Sequence, residues 1–215
     1  MAITNQQDNL DEVVIELRNA NIISTTIRGV TTATATGNLI AKDEIEINVS
    51  NVKNVRSVTI GSTLLNKNLY SVVYGDKCII TLNEDKTDTY SVSYDYGTDK
   101  IFSGYPRDDI SINSFPRIAV EYIDIVSDAG GFGNVNRNKH DISIIVYAPT
   151  KQQVRDIIHN IRSWCITNQN NLINLKLIKP VMIGPLVPAS EFVKFKDKIF
   201  KQNFDFAGLL QYEVN

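Results

Sequence analysis

Histidine and cysteine are scarce in this chain, with two of each in 215 residues. Metal sites need His, Cys or carboxylate ligands clustered at short spacing. His140 and His159 fall in different predicted elements, so neither a metal nor another cofactor is expected. Cys78 and Cys165 lie far apart, inside strand-like and helix-like apolar patterns. They read as free, buried thiols, which fits a reducing compartment. Strong charge of one sign is also missing. A net charge of −2 argues against bulk nucleic-acid binding, which normally shows as a basic domain. No apolar run is long enough to span a bilayer, and Met1 to Leu10 is polar, without the apolar stretch of a secretory leader. No membrane association is expected. What remains is an ordinary globular composition, 43% hydrophobic and 21% charged, enough for one large or two small domains.

Catalytic arrangements are equally thin. Cys165 and His159 are six positions apart on a predicted helix and point to different faces, with Cys165 in the apolar stripe. The glycines of "GGFG" at 130–133 resemble a phosphate loop, but a strand follows them where such loops open a helix. Asp108 and Asp109 sit beside Arg107 in a loop, which suits solvation or ion pairing. The chain is expected not to be an enzyme.

Three segments are present. Residues 8–20 form an amphipathic helix, with Leu10, Val13, Val14 and Leu17 on one face and Asp8 as N-cap. The Thr-rich "RGVTTATATGNLIAKD" after it reads as a mobile loop or arm. Residues 43–97 are all β: five short strands in a small sandwich or meander, with a hairpin at Gly75-Asp76. Tyr90, Val92, Tyr94 and Tyr96 alternate with polar residues, Asp95 among them. That row suits a core face better than a ligand platform.

Residues 115–215 read β-β-α-β-β. "RIAVEYIDIVS" is a strand with a bulge at Tyr122-Ile123, and "HDISIIVYA" is a central strand. A glycine-containing hairpin loop from Asp128 to Lys139 joins them. Thr150 and Gln153 form a capping box for a helix whose stripe is Val154, Ile157, Ile158, Ile161, Trp164 and Cys165. "LINLKLI" and residues 199–214 close the sheet; Phe200, Phe204, Phe206, Leu210 and Tyr212 face one way, and Lys201, Asn203, Asp205, Gln211 and Glu213 the other. Lys151, Arg155, His159 and Arg162 share the exposed helix face, and Lys194, Lys196 and Lys198 alternate along an extended stretch. Solvated surfaces are the simple reading of both; contact with acidic partner surfaces is the sharper one.

An aromatic-Pro-Arg triplet occurs twice, as Tyr105-Pro106-Arg107 and Phe115-Pro116-Arg117. Pro116 favours extended geometry before a strand, Phe115 can bury its ring, and Arg117 can pair within the chain or between subunits. The order of helix, inserted region, "SFPRIAVEYIDI", "DISIIVYAPTKQQVRDIIHNIRSW" and "KIFKQNFDFAGLLQYEV" resembles the tail terminator (tail completion or neck) proteins of long-tailed bacterial and archaeal viruses. The resemblance covers about residues 8–28 and 98–215. It implies an α+β fold, with a helix and flexible loop over 1–42 packing on a β-β-α-β-β core over 98–215. Residues 43–97 depart from the family plan as an inserted, sandwich-like β domain.

The implied function is a virion structural protein that forms a hexameric ring, caps the tail tube, ends its polymerisation and joins it to the head. Its partners would be the tail tube protein and a neck or connector protein, with DNA passing the lumen without specific binding. Assembly would take place in the host cytoplasm. Arg107, Arg117, Phe132, Arg137 and Lys139 are the candidate subunit-interface residues. The alternatives are another head–tail connector component, or a β-sandwich recognition module of the carbohydrate-binding or adhesion kind.

Overall fold

The computed structural model describes residues 6–104, 114–129, 135–192, 195 and 198–213. The architecture is α+β with two sheets. The chain divides into two compact units: Ile23–Asp99, and Met1–Ile22 together with Lys100–Asn215. The expected boundary at residue 43 therefore moves back to Ile23.

The Ile23–Asp99 unit opens with helix α1′s successor, a single turn α2 (Thr25–Arg28), preceded in the chain by α1 (Gln6–Asn19) of the other unit. Ser24 caps α2, and Gly29 ends it at φ 71°, in the left-handed region that favours glycine. Strand β1 (Val30–Ile47) follows without a break. The expected mobile arm is thus a long strand. Its Thr/Ala alternation is a strand pattern in disguise. Ala33 and Ala35 pack on the core and β-branched threonines take the other face, but alanine is too small to register as an apolar row.

Strands β2 (Val52–Ile60), β3 (Thr63–Leu64), β4 (Tyr70–Val73) and β5 (Cys78–Gly97) complete one sheet, in the order β1-β5-β2-β3, with β4 also on β5. The expected hairpin at Gly75-Asp76 is present, with Val73 opposite Ile79. The expected set of short sandwich strands is not. Two strands of 18 and 20 residues dominate. Their ribbon loses register between Leu39 and Glu44, opposite the 81–88 stretch of β5. On either side of that break, Ile80 and Leu82, and Val92 and Tyr94, contribute to a single core with Ile45, Val55 and Val58. Tyr90 and Tyr96 pack against it, so the tyrosine row is a core face.

In the other unit, α1 begins two residues before Asp8, which is therefore a helical residue and not the cap. Leu10, Val13, Val14 and Leu17 are buried as the periodicity predicts. The Glu12 carboxylate accepts the backbone N–H groups of Ile173 and Asn174. Burial outweighs these bonds and holds the Glu12 carboxyl above the usual carboxylate range.

The second sheet contains β6 (Ile101–Ser103), β7 (Arg117–Ala129), β8 (Val135–Ala148), β9 (Lys176–Ile183), β10 (Val187–Pro188) and β11 (Phe200–Glu213). The order is β10-β11-β8-β7-β6, with β9 on β11. Helix α3 (Lys151–Thr167) starts at Thr150, whose side chain accepts the Gln153 N–H at 3.2 Å. Its whole predicted stripe is buried, and Trp164 meets Phe206 edge to face at 6.3 Å. β8 is buried on both faces, through Ile142, Ile144 and Val146 and through Ile145 and Tyr147. The bulge is where the alternation slipped: Tyr122 pairs with Ile142 and Asp124 with Asp141, leaving Ile123 unmatched and 56% exposed.

Three expectations differ from the structure. The described part of the expected loop from Asp128 to Lys139 is strand, with pairing as far as Ala129–Asn136, and residues 130–134 lie outside the described residues. Only the last three residues of "LINLKLI", Lys176 to Ile178, belong to the third strand. Leu172 and Leu175 are buried in the connection after α3, and β9 begins at Lys176. Asp205, on the face opposite the phenylalanines, is buried, and Ser143 donates to it at 2.7 Å from the neighbouring strand. In the Lys194–Lys198 stretch the two described residues are not in a strand: Phe195 N–H bonds to Phe192 and Lys198 N–H to Phe195. Lys194 and Lys196 themselves lie outside the described residues.

Candidate functional site

Of the five candidate interface residues, the two with described side chains, Arg117 and Lys139, do not come together. Arg107 and Phe132 lie outside the described residues, as does the side chain of Arg137, whose backbone pairs with Asp128 and Gln211. Arg117 is half-buried, its guanidinium 4.2 Å from the centroid of the Phe102 ring. This cation–π contact answers the expectation of an intrachain partner with an aromatic one. Lys139 donates to Asp141 at 2.8 Å. Arg117 sits opposite Tyr147, and Lys139 lies eight residues earlier on the same β8 strand. At ~3.3 Å per residue that is about 26 Å. The two cations belong to different ends of the hairpin.

The aromatic-Pro-Arg triplet is a built structure in its own right. The Phe115–Pro116 peptide is cis. Phe115 is buried, edge-on to Phe192 at 5.2 Å and to Phe195 at 6.1 Å. Phe192 in turn meets Tyr147 at 5.2 Å. Lys100 reaches back to donate to the Phe115 carbonyl at 3.3 Å, and burial pulls its ammonium below the usual lysine range. Pro116 has no N–H to place, and Ile118 N–H bonds to Lys100. The triplet thus fixes where β7 begins and clamps the turns that lead into β11.

Sequence reading missed the strongest electrostatic feature, in the Ile23–Asp99 unit. Arg28 is wholly buried and binds Asp99 through two bonds of 2.9 and 2.8 Å. Asp95, also 0% exposed, lies 3.4 Å from Arg28 and accepts Arg56 and Thr32 at 2.7 Å each. Asp95, one of the polar residues alternating with the tyrosine row, is thus held by Arg28 and Arg56. The only available signal was an arginine next to a glycine in a segment of weak periodicity, which is no signal at all.

Both described cysteines are held protonated by burial. Burial pushes the Cys78 thiol up to about 11 and the Cys165 thiol up to about 12, far from the depressed values of nucleophilic cysteines. His159 is exposed on α3 while Cys165 is buried, so they occupy different faces. His140 is buried in β8, 5.6 Å from the Tyr122 ring. Burial lowers its basicity against the opposing effect of Asp141. Neither of its ring nitrogens has a hydrogen-bond partner among the described residues.

Two exposed charged surfaces stand out. At the break in the β1–β5 ribbon, Asp43, Glu44, Glu46, Glu84, Asp85 and Asp88 are all exposed. On α3 and the strand beside it, Lys151, Arg155, Arg162, Lys176 and Lys179 are exposed. No protein-family model and no curated protein sequence matches the chain.

Proposed function

We propose that this chain is a virion structural protein that caps a viral tail tube, ends its growth and joins it to the head as a ring. The observation that carries the reading is the order of parts. α1 belongs to the same compact unit as β6–β11 although a complete β unit interrupts them. The interrupting unit stands where the resembling family has a loop, and an aromatic-Pro-Arg triplet then opens β7. The finer plan, a β-β-α-β-β core with a helix before it and a β insertion within it, is part of this proposal. Its mechanism is binding: the ring covers the last tube ring and presents a new surface to the connector.

The burial of Tyr94 and the packing of Tyr90 and Tyr96 on the core favour this reading over a recognition module, which needs an exposed aromatic platform. Electron microscopy of the purified protein and of labelled particles tests the proposal. Rings in solution and label at the head–tail junction are expected, together with tails of uncontrolled length when the chain is missing. Monomers at every concentration, with no label at the tail end, would overturn it.

A further inference from the structure

The two charged surfaces are opposite in sign and matched in size. Residues 39–46 and 83–88, the break in the ribbon, carry six carboxylates against Lys42 and Lys86, a net of −4. Residues 151–183, spanning α3 and β9, carry five cations against Asp156, a net of +4. Each charge is far larger than the chain's overall −2, so the segregation is local and specific. Lys86 bonds to Glu84 and Lys77 to Glu46. The other acids of the ribbon break have no salt-bridge partner among the described residues.

Each surface also has an apolar centre. Ile40, at the ribbon break, is 74% exposed. Leu177, Val181, Met182 and Ile183 are exposed along β9, which pairs only with β11 among the described residues. Open edge strands are normally guarded by charge, yet this one carries lysines at one end and bare aliphatics at the other. Exposed aliphatics beside a charged patch are the elements of a protein–protein contact.

We infer that the acidic ribbon break of one copy docks on the basic α3/β9 surface of a second copy of this chain. The two patches differ, so the contact is heterologous, and repeating it around an axis generates a closed ring or an open filament. Opposite charges steer the encounter and fix its register, while Ile40 and the β9 aliphatics exclude water at the centre. The inference rests on the ring reading above for closure of the assembly, and it names the surfaces that reading needs.

Sedimentation velocity on charge-reversed variants tests it. D43K/E44K/E84K/D85K takes the ribbon break from −4 to +4, and R155E/R162E/K176E/K179E takes the α3/β9 surface from +4 to −4; all eight positions are exposed, and thermal melts check that each variant folds. Wild-type protein should assemble, and its assembly should weaken at least tenfold between low and high salt as the charges are screened. Each variant alone should stay monomeric under those conditions. A one-to-one mixture should assemble again, because each reversed patch then meets a reversed complement.

A second measurement uses I40C/M182C, which should give a ladder of intermolecular disulfides on oxidation. Variants that assemble like wild type, a mixture that stays monomeric, or cross-links confined to single chains would each overturn the inference. If wild type forms rings while the variants do too, this interface is wrong and the ring reading stands. If wild type is monomeric alone and its ribbon break binds only tail tube protein, the self-contact is overturned and the tail reading stands.

Discussion

Arg28 and Asp99 are joined by a two-pronged ion pair across 71 residues, one at the start of the β unit and the other its last residue. The fork geometry matches guanidinium to carboxylate, the strongest pairing available to side chains. Beside it, Thr98 N–H bonds to Gly29 and Val30 pairs with Gly97. The unit is therefore stapled where the chain enters and leaves it. Arg28→Met should destabilise it by about 3–5 kcal/mol, since Asp99 and Asp95 lose a buried partner. Chemical denaturation measures this. A change within about 0.5 kcal/mol, typical of surface positions, would mean the pair is solvated.

The same closure predicts separability. Insertions succeed where the host chain can be bridged across neighbouring ends. Replacing residues 23–99 with a short Gly/Ser linker should leave a protein with a cooperative melt. The shorter deletion from Asp43 to Gly97 should fail. Gly97 pairs with Val30, whereas Asp43 lies at the ribbon break, and the deletion would strip β1 of its partner. Calorimetry on both products decides; equal cooperativity in the two would refute the revised boundary.

Trp164→Ala should cost roughly 3–5 kcal/mol, because the indole is buried edge-on to Phe206 between α3 and the sheet. Urea denaturation checks the magnitude. A near-neutral result would show that the helix does not seat on that face.

His140 should impose a pH dependence on stability. Burial holds its folded basicity below the ordinary value, about 6.5. The unfolded chain therefore binds a proton first as pH falls. The stability is fully present above about 6.5 and is lost as pH drops toward the folded value. His140→Phe should flatten that slope while keeping a ring beside Tyr122. Melts from pH 7.5 to 5.0 compare the two, and an unchanged slope in the variant would assign it to other groups.

Both thiols should be silent to a thiol reagent in the native protein and react in denaturant. Cys78 and Cys165 are wholly buried, with their thiols pushed up by that burial. Fast native labelling of either would contradict the packing.

Periodicity alone determined most of the unit that contains α3. Its apolar stripe, the Thr150 cap, the bulge at Ile123 and the double burial of β8 all follow from where large apolar side chains recur, because burial of such groups dominates local choice. Tertiary structure decided the rest. β1 was hidden because alanine and threonine show no hydrophobic contrast, and only pairing with β5 makes them a strand. The burial of Asp205 and Asp95 is not legible in the alternation, because a carboxylate's burial depends on a distant partner, Ser143 in one case and Arg28 and Arg56 in the other. Such pairs form only after strands far apart in sequence are brought side by side, and alternation along one strand cannot encode them.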